Sequence, residues 1–91
     1  MTTTFPLGQL VATPGAIQAL AAAQENPAKY VGRHADGDWG ELCADDKRLN
    51  DQATGGGARI LSAYRLPTGT SIWIITEADR SVTTILLPDE Y

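Results

Sequence analysis

Apolar positions concentrate between Arg59 and Leu87, where Ile60, Leu61, Ile72, Trp73, Ile74, Ile75, Val82, Ile85, Leu86 and Leu87 fall in three short runs. Pro67-Thr68-Gly69 separates the first two runs. Proline presets φ at the second position of a turn and glycine accepts φ > 0 at its close, so these residues predict a tight hairpin. A loop of this length pairs Leu66 with Thr70. Tyr64 then lies opposite Ile72, Ala63 opposite Trp73 and Ser62 opposite Ile74. Side chains alternate along a strand, so Ile60, Ser62, Tyr64, Ile72 and Ile74 share one face, and Leu61, Ala63, Trp73 and Ile75 the other. Both faces are largely apolar, which predicts some cover on both and a mostly buried Trp73. The second turn, Glu77-Ala78-Asp79-Arg80, has neither glycine nor proline and leaves the face of Val82 and Thr84 open.

Upstream, the pattern changes period. Residues 1–4 are polar and read as a frayed start. Leu7 to Ala12 reads as a short edge strand weakened by Gly8. Thr13-Pro14 and Asn26-Pro27 each pair a capping side chain with a proline suited to the first helical position, so each opens a helix. Ile17, Leu20 and Ala21 supply the first helix's stripe, and Tyr30, Val31 and His34 the second's, which runs to about Ala35. Asp36 to Gly40, DGDWG, is a turn that carries Trp39. A third helix is expected from about Ala44 to Ala53. Cys43 stands at its N-cap, Asp45 and Asp46 lie in its first turn, and Leu42, Leu49 and Ala53 face inward. Gly55-Gly56-Gly57 ends it. The expected fold is α+β: two or three N-terminal helices packed on a three- to four-stranded antiparallel meander, in a single domain spanning residues 1–91.

Composition narrows the function classes more than it identifies one. The chain has 91 residues, seven basic and eleven acidic, with net charge −4. Scattered basic residues on an acidic chain disfavour phosphate contacts with nucleic acid. Eleven acids are too few to imitate a phosphate backbone. One cysteine excludes an internal disulfide. Neither a signal peptide nor a membrane span is apparent, so cytoplasmic residence is expected. No GxSxG, P-loop, CxxC or HExxH motif occurs.

Three places carry polar chemistry. His34 lies near Asp36, Asp38 and Glu41, a set that could serve acid–base work or hold a ligand. With one imidazole it falls short of a metal site, and no cofactor is implied. The plainer reading has His34 as a cation closing its helix, with the acids solvated. Trp39 either anchors a partner or plugs the junction between helices and sheet. Glu77, Asp79 and Arg80 form either a solvated hairpin tip or a contact surface. Cys43 beside two aspartates is a poor nucleophile.

The blocks HADGDWGELCADD, ARILSAY and WIITEADRSVTTILLPDEY resemble a family of short, uncharacterised "plasmid-related" proteins carried on bacterial plasmids and integrative elements. The resemblance spans Thr13 to Tyr91 and rests most on GDWG and WIITEADRSVTTILLP. It implies a mobile-element setting and an accessory role, such as regulating the element or modulating host defence. It implies no activity and no site residues. The expected function is therefore a non-catalytic binding or regulatory protein that acts through protein contacts, with a second copy of itself among the candidate partners. The alternative is a small-molecule-binding protein or enzyme with a polar site around His34, Asp36, Asp38 and Glu77.

Overall fold

A computed structural model describes residues 5–91, and the polar start expected at residues 1–4 lies outside them. Strand β1 (Gln9–Ala12) leads into helices α1 (Pro14–Ala22), α2 (Pro27–Ala35) and α3 (Ala44–Ala53). Strands β2 (Ile60–Arg65), β3 (Ser71–Thr76) and β4 (Val82–Leu86) follow, and a 3-10 turn (Pro88–Glu90) closes the chain. The α+β class holds, with four strands and three α-helices among the described residues.

The sheet order is β1-β4-β3-β2. The hairpin register is the expected one, with Tyr64 facing Ile72, Ala63 facing Trp73 and Ser62 facing Ile74. Strand β4 then pairs antiparallel with β3, placing Ile85 against Ile74 and Thr83 against Thr76. The meander is not the whole sheet, however. Strand β1 pairs parallel with β4, Leu10 beside Thr83 and Ala12 beside Ile85, so the sheet is mixed. Nor are the helices all N-terminal elements, since β1 precedes them and the 3-10 turn follows the sheet. Parallel pairing is possible because three helices and two strands separate β1 from β4, ample chain for a crossover. It also makes β4 an interior strand. Strand β1 starts at Gln9 and not Leu7, because Gly8 sits at φ 65°, outside extended geometry.

The main core lies between one sheet face and helices α1 and α2. Ala16, Leu20 and Tyr30 pack on Tyr64, Leu66, Ile72, Ile74 and Ile85. Thr13 caps α1, its Oγ1 accepting from Ala16 N–H at 3.1 Å, and Asn26 caps α2 through Ala28 N–H at 2.9 Å. Three expected inward residues point outward: Ile17 is 55% exposed, Leu49 61%, and Ala21 is exposed as well. The first helix is rotated so that Ala16 and Leu20, one turn apart, face the sheet, and small Ala16 admits the close approach. In α3 the inward positions are Asn50 and Ala53.

That rotation of α3 matters to the sheet. Asn50 Nδ2 donates to Leu61 O at 2.7 Å and its Oδ1 accepts from Leu61 N–H at 3.3 Å. One side chain thus occupies a backbone position on the outer edge of β2. The next position is filled by the DGDWG turn: Ala63 N–H donates to Trp39 O at 3.1 Å, and Glu41 N–H to Ala63 O at 2.7 Å. Gly40, at φ 74°, lies so close to β2 that a Cβ there would overlap Ala63 O and the Tyr64 ring. The second sheet face has lighter cover. Tyr91 meets Trp73 edge-on at 5.7 Å and lies under the Arg59 guanidinium, and Trp73 keeps only a minor part of its surface exposed.

Candidate functional site

His34 is 0% exposed, inside the molecule and not at a solvated helix end. Strands β2, β3 and β4 each supply it a hydroxyl, directly or at one remove. Nδ1 lies 2.5 Å from Ser62 Oγ and Nε2 lies 2.9 Å from Thr76 Oγ1. Thr76 Oγ1 lies 2.7 Å from Thr83 Oγ1, whose hydroxyl donates to Leu7 O at 2.6 Å. A carbonyl can only accept, so the direction of the whole chain follows from its end. Thr83 gives its proton to Leu7 O, Thr76 gives its own to Thr83, and His34 Nε2–H donates to Thr76. Nδ1 is then the acceptor for Ser62. The ring is a neutral Nε2–H tautomer with both nitrogens satisfied. Phe5 and Trp39 meet it edge-on, with centroids 5.2 and 5.8 Å away. Burial lowers its pKa from 6.5 to about 4. The cationic helix-closing role expected for His34 is therefore overturned: an uncompensated charge is costly in so dry a site.

The structure does not gather the acids expected around it. Asp36 is exposed at the end of α2. Asp38 is exposed too; its Oδ2 accepts from Arg33 Nε at 2.7 Å and its Oδ1 from Gly40 N–H at 3.2 Å. The Arg33 contact, ahead of the Gly40 amide, holds this carboxyl below its ordinary range. Glu41 reaches Arg65 at 3.5 Å on the surface. Glu77 lines a shallow hollow with Arg59, Thr84 and Tyr91 on the second sheet face, away from His34. The Ser62–His34 pair has no carboxylate partner and no opening to solvent, so it has the parts of a nucleophile–base pair without access to a substrate.

Trp39 is the plug: it is buried with Phe5, Ala53 and Ile60, and its indole N–H donates to Asp51 at 2.9 Å. Tyr64, its hydroxyl bonded to Asp38 O at 2.6 Å and its pKa pushed up to about 12 mainly by burial, ties the same turn to the sheet. The 77–80 turn is equally engaged. Asp79 accepts from Ser81 N–H and Oγ, contacts that lower its pKa. Arg80, at φ 62°, donates to the carbonyls of Ala53, Ala58, Glu77 and Ala78 and lies over Phe5. Trp39, Asp38, His34, Asp79 and Arg80 thus hold the fold together.

An apolar cleft between β1 and α2 escaped the sequence reading. It is open to solvent, with a volume of about 440 Å³, and is lined by Leu7, Leu10, Val11, Ala12, Val31 and Ile85, among others. Gln9 N–H donates to Ser81 O and Thr13 N–H to Ile85 O. By alternation, the N–H and C=O groups of Leu10 and Ala12 turn to the outer side, where no strand follows β1 in the sheet. Leu10 is 52% exposed and Val11 39%. The signal in the sequence was the absence of any charge from Pro6 to Thr13, a stretch without the lysines or acids that usually blunt an edge.

Among the described residues no group of three or more His, Cys, Asp or Glu could hold a metal ion, and no helix is long and apolar enough to cross a membrane. No protein-family model, curated protein or solved structure matches the chain.

Proposed function

We propose that this chain is a non-catalytic binding protein that takes an extended polypeptide segment along the free edge of β1, in the accessory setting on a bacterial mobile element that its resemblance implies. Regulation of the element, or modulation of host defence in the cytoplasm, is the role such contacts would serve. One observation carries the reading: unpaired backbone groups at Leu10 and Ala12 stand beside an apolar cleft of about 440 Å³. Main-chain bonds to such an edge give affinity, and a pocket taking alternate side chains gives specificity. The occupant's chemistry is that of an uncharged strand with an aliphatic residue at alternate positions. No observation favours the small-molecule or enzymatic reading, since His34, Asp36, Asp38 and Glu77 are dispersed.

A capped peptide of alternating valine and threonine, titrated into a dilute isotope-labelled sample, tests the reading. The amide resonances of Leu10 and Ala12 and the methyls of Val31 are expected to shift together. Shifts confined to the Trp73 face, or none at about 1 mM peptide, would overturn it.

A further inference from the structure

We infer that Pro88–Tyr91 is a releasable strap over the second sheet face, and that a latch between Glu90 and the cap of α1 keeps it closed. The root of the strap is fixed, because Leu87 packs against the main core. Beyond that root no residue of the 3-10 turn is buried, and Tyr91 is 65% exposed. The segment is held down at Glu90 and at Tyr91. Glu90 Oε1 accepts from Thr13 Oγ1 at 2.6 Å and from Leu87 N–H at 2.7 Å. These bonds, the Thr13 one foremost, hold the carboxyl below its ordinary range. The same Thr13 oxygen accepts from Ala16 N–H, so the cap of α1 and the latch share one hydroxyl. Gly15 makes the approach possible, since a Cβ there would come within 2.7 Å of Glu90 Oε2 and 3.0 Å of Leu87 Cδ1. Tyr91 then reaches the sheet, where its ring meets Trp73 and Arg59.

The strap itself has little to hold it. Segments with few buried apolar contacts and exposed backbone bonds lie at the low-stability end of a fold. Its backbone bonds are local, from Glu90 N–H to Leu87 O at 2.9 Å and from Tyr91 N–H to Pro88 O at 3.3 Å. Ring and cation contacts at an exposed position hold weakly, so closure falls to the carboxylate. What lies beneath differs in kind. Ile75 and Leu86, 5% and 6% exposed, line the hollow beside Tyr91, and Trp73 is paired with Leu86 on the same face. Releasing the strap therefore joins Trp73, Ile75 and Leu86 into one apolar surface bordered by Arg59 and Glu77. The device does not depend on the free edge of β1, whose cleft lies on the α2 side.

The indole N–H resonance of Trp73 reports the strap, and the whole chain is used throughout. Tyr91→Ala strips the cover and gives the resonance its uncovered position. Glu90→Ala removes the latch while leaving Tyr91 in place, and should carry the resonance most of the way to that position. Thr13→Asp separates latch from cap: aspartate still caps the helix, but sets a second carboxylate against Glu90. It should therefore release the strap as Glu90→Ala does, with the helical circular dichroism unchanged. Thr13→Ser keeps both the cap and the donor and should leave the resonance where it stands in the natural chain. Residues acting through one contact are not additive, so Thr13→Asp with Glu90→Ala should displace it no further than Glu90→Ala alone. A Trp73 resonance that stays near its natural position in Glu90→Ala or in Thr13→Asp would overturn the latch, as would equal displacement by Thr13→Ser. A resonance unmoved by Tyr91→Ala would show that the segment covers nothing, and the strap itself would fall.

Discussion

His34 is the chain's only histidine, so its protonation can be followed without ambiguity. Unfolded, the ring takes a proton near 6.5; folded, burial holds it to about 4. Above 6.5 both states are neutral and the fold keeps its full stability. As pH falls from 6.5 towards 4, the unfolded chain binds a proton that the folded chain refuses, so stability declines, by up to about 3 kcal/mol. Proton NMR should show the single imidazole C–H resonance unmoved from pH 7.5 down to about 5, with urea midpoints dropping over the same interval. An inflection near 6.5 would place the ring in water. Of this site only His34 itself was legible in the sequence. Ser62 and Thr76 stood at core-facing positions of otherwise apolar strands. A buried hydroxyl demands a partner, yet nothing local names the partner, because residues 34, 62, 76 and 83 meet only once the strand order is known.

At the scale of elements, the hairpin was legible because its turn chemistry acts over a few residues, and Pro67 and Gly69 suffice to set the register. Helix starts were legible for the same reason, at Thr13 and Asn26. Helix phase was not. Ile17 and Leu49 are the larger apolar groups, but Ala16 and Asn50 make the contacts, because closeness to the sheet and a backbone edge needing partners outweigh side-chain size. Asn50→Leu should cost about 2 kcal/mol, since it strips both partners from Leu61 and opens the outer edge of β2. Hydrogen exchange at Leu61 should rise well beyond any global change. The 77–80 turn depends on Arg80 similarly. Its planar fork serves four carbonyls, one of them at the C-terminal end of α3, where positive charge is favoured. Lysine carries the charge without the fork, so Arg80→Lys should lose about 1–2 kcal/mol, measured by urea denaturation. A loss as small as that of an exposed lysine-for-arginine change elsewhere would mean that these bonds contribute little.

For the whole molecule, Leu7–Ala12 was legible as an edge strand but the parallel sense of its pairing with β4 was not, because its partners are remote: the Leu7–Thr83 bond joins residues 76 apart. That separation also has a consequence in time. Strands β2, β3 and β4 are joined by short turns and can associate early, whereas β1 can reach β4 only by closing a loop of nearly the whole chain. Until it arrives, Val82–Leu86 is a bare, uncharged edge. Each refolding molecule thus passes through an interval in which encounter with a neighbour competes with its own N-terminal strand, and the outcome depends on protein concentration. Gly8 governs how readily that interval ends, for its φ of 65° turns the chain onto β4, and a side chain there would overlap the Arg80 and Ser81 carbonyls. Gly8→Val should therefore lower the yield of soluble protein on refolding at high concentration while leaving it near normal in dilute solution. A yield independent of concentration would show that β1 docks before β4 is exposed. A strand of four residues at one end of the chain would thus set the protein's tolerance for crowding during folding.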